Sequence, residues 1–289
     1  MYCNELVYQK VLEMRRGSAS QDVQGKIYGK EAYIPVRDGR QVRVLSYTPE
    51  GKDQAPLPVY FDVHGGGFIM GTPEGDDAFC QRVCEELGIR VIGIDYRLAP
   101  ENPCPADKED VYDVIEYCHD HPQKYGIDPE KMAVGGHSAG ANISAVVAKW
   151  AVRSGAFSLR CQILDYPPMD VQTNPYQKFF PEGAIPPFVA DLFNDCYIDH
   201  AHAGDPDCSP VYCSEEDLKG QCPAVVLTCE IDSLRDEGEQ YALMLMKAGV
   251  EVTAKRFLGA AHGFTMHTGD PLADAGQKMM IEGLRRYLK

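Results

Sequence analysis

Six short apolar runs, LPVYFDV (57–63), RVIGID (90–95), KMAVGG (131–136), RCQILD (160–165), AVVLTC (224–229) and VEVTAKRF (250–257), alternate along this chain with stretches of helical periodicity. Those stretches are Asp76–Leu87, Asp107–Cys118, Ala139–Arg153, Glu237–Ala248 and Ala275–Leu288. No other feature restricts the fold so much. A strand that returns to its own sheet through a helix comes back as a parallel neighbour. Repeated, this predicts an α/β domain with a mostly parallel sheet and helices on both faces. Upstream, KEAYIPV and QVRVLSY flank Arg37-Asp38-Gly39-Arg40, and an Asp-Gly between alternating apolar runs predicts a hairpin. The hairpin brings the expected sheet to eight strands.

The regular alternation breaks in two places. Residues 1–25 read as a short amphipathic helix, with Leu6, Val7, Val11 and Met14 at helical spacing, and a polar loop. Between two strands, Tyr166 to Pro210 is rich in Pro and aromatics, and a connection that long usually covers a site. That segment is read as a cap over the sheet's carboxyl edge, and residues 1–25 are too few for a domain of their own.

Composition excludes several classes. A formal charge of −15 leaves no cationic face for nucleic acid or an anionic membrane, so a small neutral substrate is expected. The eleven cysteines include no CxxC pair, which argues for free thiols in a reducing compartment rather than a zinc or dithiol site. The charged N-terminus and the lack of long apolar runs predict a cytoplasmic protein. A homodimer is left open.

In open parallel sheets, ligands bind beyond the carboxyl ends of the strands. Four strand ends carry suggestive groups. GHSAG (136–140) lies between a strand and a helix, the context in which a GxSxG turn exposes a serine, here Ser138, as a nucleophile. DVHGGGF (62–68) offers the unobstructed amides of Gly66 and Gly67, which with that of Ala139 suit an oxyanion; His64 is expected to brace this loop. CEIDSLRDEGEQYA (229–242) supplies Asp232 past a strand end, with Glu230, Asp236 and Glu237 as rivals; for Asp236 and Glu237 helix capping is expected. GAAHGFTMH (259–267) supplies His262, expected in a mobile loop. The order Ser138, Asp232, His262 is that of a hydrolytic triad on this kind of sheet. His200 and His202, with Asp199, Asp205, Asp207 and Cys208, read as a polar loop rather than a metal cluster, and Arg97 as structural.

HGGGF (64–68), DYRLAPENPCPA (95–106), GHSAG (136–140), IDSLRDEG (231–238) and AHGF (261–264) together resemble the hormone-sensitive-lipase branch of the α/β-hydrolases, over most of the chain. The resemblance implies the α/β-hydrolase fold, with a core of 26–168 and 209–289 and a small helical cap formed by 1–25 and 169–208, and a serine carboxylesterase acting through an acyl-enzyme. Ser138 would be the nucleophile, His262 the base, Asp232 the acid, and Gly66, Gly67 and Ala139 the oxyanion donors. No cofactor or metal is implied. Amidases and carbohydrate deacetylases with the same triad are alternatives, as is a ligand-binding relative without activity. One departure stands inside the elbow: His137 occupies a position where the family commonly carries an acidic residue. Phe68, His137, Phe188 and Phe193 are candidate pocket residues; the cap aromatics Tyr176, Phe179, Phe180, Phe188 and Phe193 suggest a confined apolar site, and with the family resemblance short acyl chains are expected.

Overall fold

A computed structural model describes Cys3 and residues 5–22, 26–52 and 56–289. An N-terminal helix α1 (Glu5–Asp22) precedes the hairpin of β1 (Lys30–Pro35) and β2 (Gln41–Tyr47). Then follow β3 (Leu57–Val63), α2 (Asp77–Leu87), β4 (Arg90–Ile94), α3 (Ala106–Asp120), α4 (Pro122–Tyr125), β5 (Ile127–His137) and α5 (Ala139–Ser154). Next come β6 (Cys161–Asp165), α6 (Pro187–Tyr197), α7 (Glu215–Leu218), β7 (Ala224–Ile231), α8 (Arg235–Lys247), β8 (Val252–Ala261) and α9 (Pro271–Leu288). Among the described residues, eight strands form one sheet in the order β1-β2-β4-β3-β5-β6-β7-β8. Only the pairs involving β2 are antiparallel; the remaining pairs are parallel, as the alternating sequence requires.

The strand pleat decides how the layers pack. On β3, Val59, Phe61 and Val63 join α3 and α5 in one core, with Val111, Ile115, Ile143 and Val147. Tyr60 faces the other way, toward Phe79 and Val83 of α2 and Met280 and Leu284 of α9. Successive side chains of a strand point to opposite faces, so a central parallel strand must be apolar on both. The run LPVYFDV meets that demand except at Asp62, which is fully buried.

Several element boundaries differ from the sequence-based expectation. Helix α9 begins at Pro271 rather than Ala275, because Asp270 caps Leu272 N–H and Pro271 occupies the first turn. Strand β8 continues past Phe257 to Ala261, since Gly259 takes a positive φ of 75° inside it. His262 therefore stands at the tip of a strand in a turn, not in a free loop.

The N-terminal helix is fastened to the core by Arg15. Its guanidinium donates to the carbonyls of Ile69 (2.6 Å) and Ala99 (2.7 Å) and pairs with Glu101 at 2.7 Å. The chain between β6 and β7 is clamped by Glu237 of α8. Its buried carboxylate accepts the N–H groups of Met169 (2.8 Å) and Asp170 (3.1 Å) and pairs with Lys178 at 2.5 Å. Glu237 is thus not the helix cap that its position beside Asp236 suggests; burial pushes its carboxyl up to about 7, against the pull of Lys178. Arg97 pairs with Asp110 at 2.8 Å.

Candidate active site

Ser138 sits between β5 and α5 at φ 50° and ψ −119°. A residue with a side chain avoids this left-handed region unless its surroundings force it there. Here they do. Ser138 N–H donates to Asp165 O at 2.8 Å, and β5 and α5 leave the turn in fixed directions. Gly136 and Gly140 flank it because a Cβ at either would run into the Val63 carbonyl of β3. The elbow therefore needs small neighbours for a steric reason that can be named atom by atom.

His262 Nε2 lies 3.0 Å from Ser138 Oγ. Its Nδ1–H donates to Asp232 Oδ2 at 2.8 Å, and Asp232 Oδ1 accepts Leu234 N–H at 3.1 Å. Asp232 is 1% exposed. Burial pushes the His262 imidazolium down in pKa, but the charge and hydrogen bond of Asp232 more than offset it, so the group titrates above an ordinary histidine. The rival carboxylates are engaged elsewhere: Glu230 accepts Gly259 N–H at 2.7 Å, and Asp236 pairs with Arg235 at 2.8 Å.

Beside the serine, the HGGGF turn follows β3. Ile69 and Met70 donate to Gly66 O at 3.2 and 3.1 Å, so the turn's own bonds do not use the Gly66 or Gly67 amides. Gly66 has φ 123°, and a Cβ there would strike the Met70 carbonyl. Gly67 has φ 58°, and a Cβ there would meet the Phe193 ring. His64 braces the loop: its ring stacks on Tyr96 at 4.2 Å and its carbonyl accepts Tyr96 O–H at 2.9 Å.

A cavity of about 520 Å³ opens over these groups, lined by Ser138, His262, Gly66, Gly67, Phe68 and His137 and roofed by Ile185, Val189, Ala190 and Phe193. The roof is mostly the i, i+4 face of α6. Phe188 points off that face and is 64% exposed, so it is not a pocket residue. Tyr176, Phe179 and Phe180 are also exposed and outside the lining. Of the cap aromatics expected there, Phe193 alone borders the cavity among the described residues. His200 lies on the surface, with Nε2 2.6 Å from Asp195.

His137, the departure inside the elbow, is built into a buried polar cluster. Its ring is buried, its Nδ1–H donates to Asp165 Oδ2 at 2.8 Å, and Thr265 O–H donates to the same oxygen at 2.6 Å. Thr265 lies three residues after His262 and shares a 2.9 Å hydrogen bond with Tyr166 O–H. The residue before the nucleophile is thus tied to the turn that carries the histidine. Asp62 of β3 and Asp76, just before α2, also face it, with one carboxylate oxygen of each and a ring nitrogen of His137 lying within 4.8 Å of one another. Phe79 of α2 closes the ring edge at 5.3 Å. Burial alone would neutralise the imidazole, but Asp76, Asp165 and Asp62 hold it at about 9. Burial pushes Asp62 and Asp76 upward, relieved by the positive charge of His137.

Removing His137 leaves three buried carboxyls without their cation. His137→Ala is expected to cost about 3–5 kcal/mol in urea unfolding at pH 6. A group whose pKa is raised by folding contributes fully below its unfolded value and loses the contribution as pH rises through the folded one. The gap between parent and variant should therefore narrow from about pH 6.5 to above pH 9. A gap under about 1 kcal/mol at pH 6 would mean the carboxyls do not need His137.

Residues 59–266 match a family model described as the alpha/beta hydrolase fold. The chain belongs to the hormone-sensitive-lipase-like alpha/beta hydrolases. Within this hydrolase family, it is 37% identical over 278 residues to the carboxylic ester hydrolase LipN of Mycobacterium tuberculosis, covering 90% of this chain and 72% of that protein. An ethyl acetate hydrolase of Pseudomonas putida is 30% identical over 264 residues, covering 88% of this chain and 81% of the relative. The crystal structure of EstE1, a thermophilic carboxylesterase from a metagenomic library, superposes with a TM-score of 0.87 at 34% identity, covering 96% and 98% of the two chains. Among the described residues, no helix is long and apolar enough to cross a membrane.

Proposed function

We propose that this hydrolase is a serine carboxylesterase that cleaves short-chain acyl esters through an acyl-enzyme. One observation carries the reading: Ser138 Oγ, His262 and Asp232 form a continuous hydrogen-bonded line, 3.0 and 2.8 Å at its two joints, at the floor of a largely apolar cavity. The names of its relatives support the ester as substrate.

In this mechanism His262 Nε2 takes the Ser138 proton as Oγ attacks the ester carbonyl. Asp232 holds the proton on Nδ1, leaving the Nε2 lone pair directed at the serine. The developing oxyanion falls to the amides of Gly66, Gly67 and Ala139; the last begins α5, so the positive end of the helix dipole adds to the stabilisation. His262 then gives its proton to the departing alcohol, and water attacks the acyl-enzyme by the same route in reverse. The carbonyl needs no metal or cofactor to be activated in this scheme.

The roof of Phe193, Val189 and Ile185 limits the acyl chain. Across p-nitrophenyl esters from acetyl to decanoyl, kcat/KM is expected to peak at about four carbons or fewer. A maximum at roughly eight carbons or longer would overturn the short-chain assignment.

A further inference from the structure

Behind the oxyanion turn, the fold brings together two cysteines that the sequence keeps far apart. Cys104 Sγ and Cys208 Sγ lie 2.6 Å apart across a sequence separation of 104 residues. That is too close for comfortable unbonded thiols and is nearer to the covalent distance of about 2.05 Å than to a van der Waals contact between sulfurs. Both are free thiols in the structure. We propose that Cys104 and Cys208 form a reversible disulfide that staples the end of the cap insertion to the core loop behind the oxyanion turn. This does not depend on the ester-hydrolase reading.

The surroundings favour thiol exchange and assign the two sulfurs different parts. Cys104 is only partly buried, whereas Cys208 is 4% exposed. The hydrogen bond from Cys208 holds the Cys104 thiol below its usual pKa, against burial and with help from the Lys108 ammonium. The same contact and burial push Cys208 up. Lys108 is itself fully buried, paired with Asp107 at 3.1 Å and hydrogen-bonded to Tyr197 O–H. A partly exposed, acidified thiol beside a buried cation is the one expected to react first.

The oxidant is a low-molecular-weight disulfide, RSSR. The Cys104 thiolate attacks one of its sulfurs, the S–S bond of RSSR breaks, and one RS⁻ leaves and is protonated. Cys208 then loses its proton and attacks Cys104 Sγ, expelling the second RS⁻, which takes that proton. Two cysteine thiols are oxidised by two electrons, and RSSR is reduced to two RSH.

The link would act on the back of the site. Cys104 N–H donates to Tyr197 O at 3.0 Å, and the Tyr197 ring stacks on Phe68 at 3.8 Å. Phe68 ends the HGGGF turn, and its carbonyl accepts Ala99 N–H at 3.0 Å. On the other side, Cys208 O accepts Asn142 Nδ2–H at 3.0 Å from α5, the helix that follows Ser138. Closing so long a loop also restricts the unfolded chain.

The test uses the intact, folded chain, incubated with either oxidised glutathione or dithiothreitol, then denatured, alkylated and mapped. Oxidation should protect two of the eleven cysteines, yield a Cys104–Cys208 linked peptide, and raise the melting temperature by roughly 5–10 °C. Cys104→Ala, at the more exposed position, and Cys208→Ser should each lose the linked peptide and the rise. Three results would overturn the proposal: all eleven cysteines remaining alkylatable, a glutathione adduct that persists on Cys104, or a link between other residues, such as Cys196 and its hydrogen-bonding neighbour Cys3.

Discussion

Ser138→Ala is expected to lower kcat on p-nitrophenyl acetate by roughly 10⁴- to 10⁶-fold while leaving the protein folded. The loss should be so large because nothing nearby can replace the Oγ. The buried hydroxyls of Tyr166 and Thr265 are spent on each other and on Asp165, at 2.9 and 2.6 Å. Folding should survive because the elbow is held by backbone: Ser138 N–H reaches Asp165 O, and its carbonyl accepts Ala141 N–H at 2.9 Å. Alanine at φ 50° bears the same strain as serine, so no new cost arises. Residual turnover above the uncatalysed rate is expected from the three amides and the cavity alone. A fluorophosphonate should label the parent and not the variant. Activity near the parent level in a folded Ser138→Ala protein would remove Ser138 from the mechanism.

How much of this was legible in the sequence depends on how local each signal is. The sheet could be read because each parallel strand carries its own apolar run, and the hairpin because Asp38-Gly39 marks its turn. Ser138, Asp232 and His262 could be selected without coordinates because each follows directly on a strand end, and parallel strands bring their carboxyl ends to one edge. The setting of His137 could not. Its partners Asp62, Asp76, Asp165 and Thr265 come from four different segments, and no one of them signals the others. Glu237 was misread for a related reason: a carboxylate at a helix start looks like a cap, and only the folded chain brings Met169 and Asp170 to it. Phe188 failed on phase. An aromatic-rich helix can be recognised from composition, but which side faces the cavity follows from how α6 docks. The one available hint was the i, i+4 apolar set Val189 and Phe193, which excludes position 188.

Asp232→Asn separates a carboxylate that merely occupies space from one that sets the histidine's protonation. Asp232 Oδ1 accepts Leu234 N–H, and Oδ2 accepts His262 Nδ1–H. An amide at this position keeps its oxygen on the Leu234 N–H, because its NH₂ cannot accept that bond. The NH₂ then faces His262 Nδ1, which must accept, so the ring proton moves to Nε2 and points at Ser138. A histidine in that tautomer cannot take the serine proton. With the side chain otherwise isosteric, kcat is expected to fall about 10⁴-fold near neutral pH with little change in melting temperature. The pH profile carries an independent sign. In the parent, Asp232 holds the His262 pKa above the usual value, and the base works only once the imidazolium has lost its proton, so the acid limb of kcat/KM lies above about pH 6.5. Without the carboxylate, burial acts on the ring against only the remaining charges of Asp165 and Glu237, and the limb moves to lower pH. An acid limb that stays in place, with kcat within about tenfold of the parent, would show that another group orients His262. Glu230, the nearest rival in sequence, would then have to give up the Gly259 N–H that it accepts at 2.7 Å.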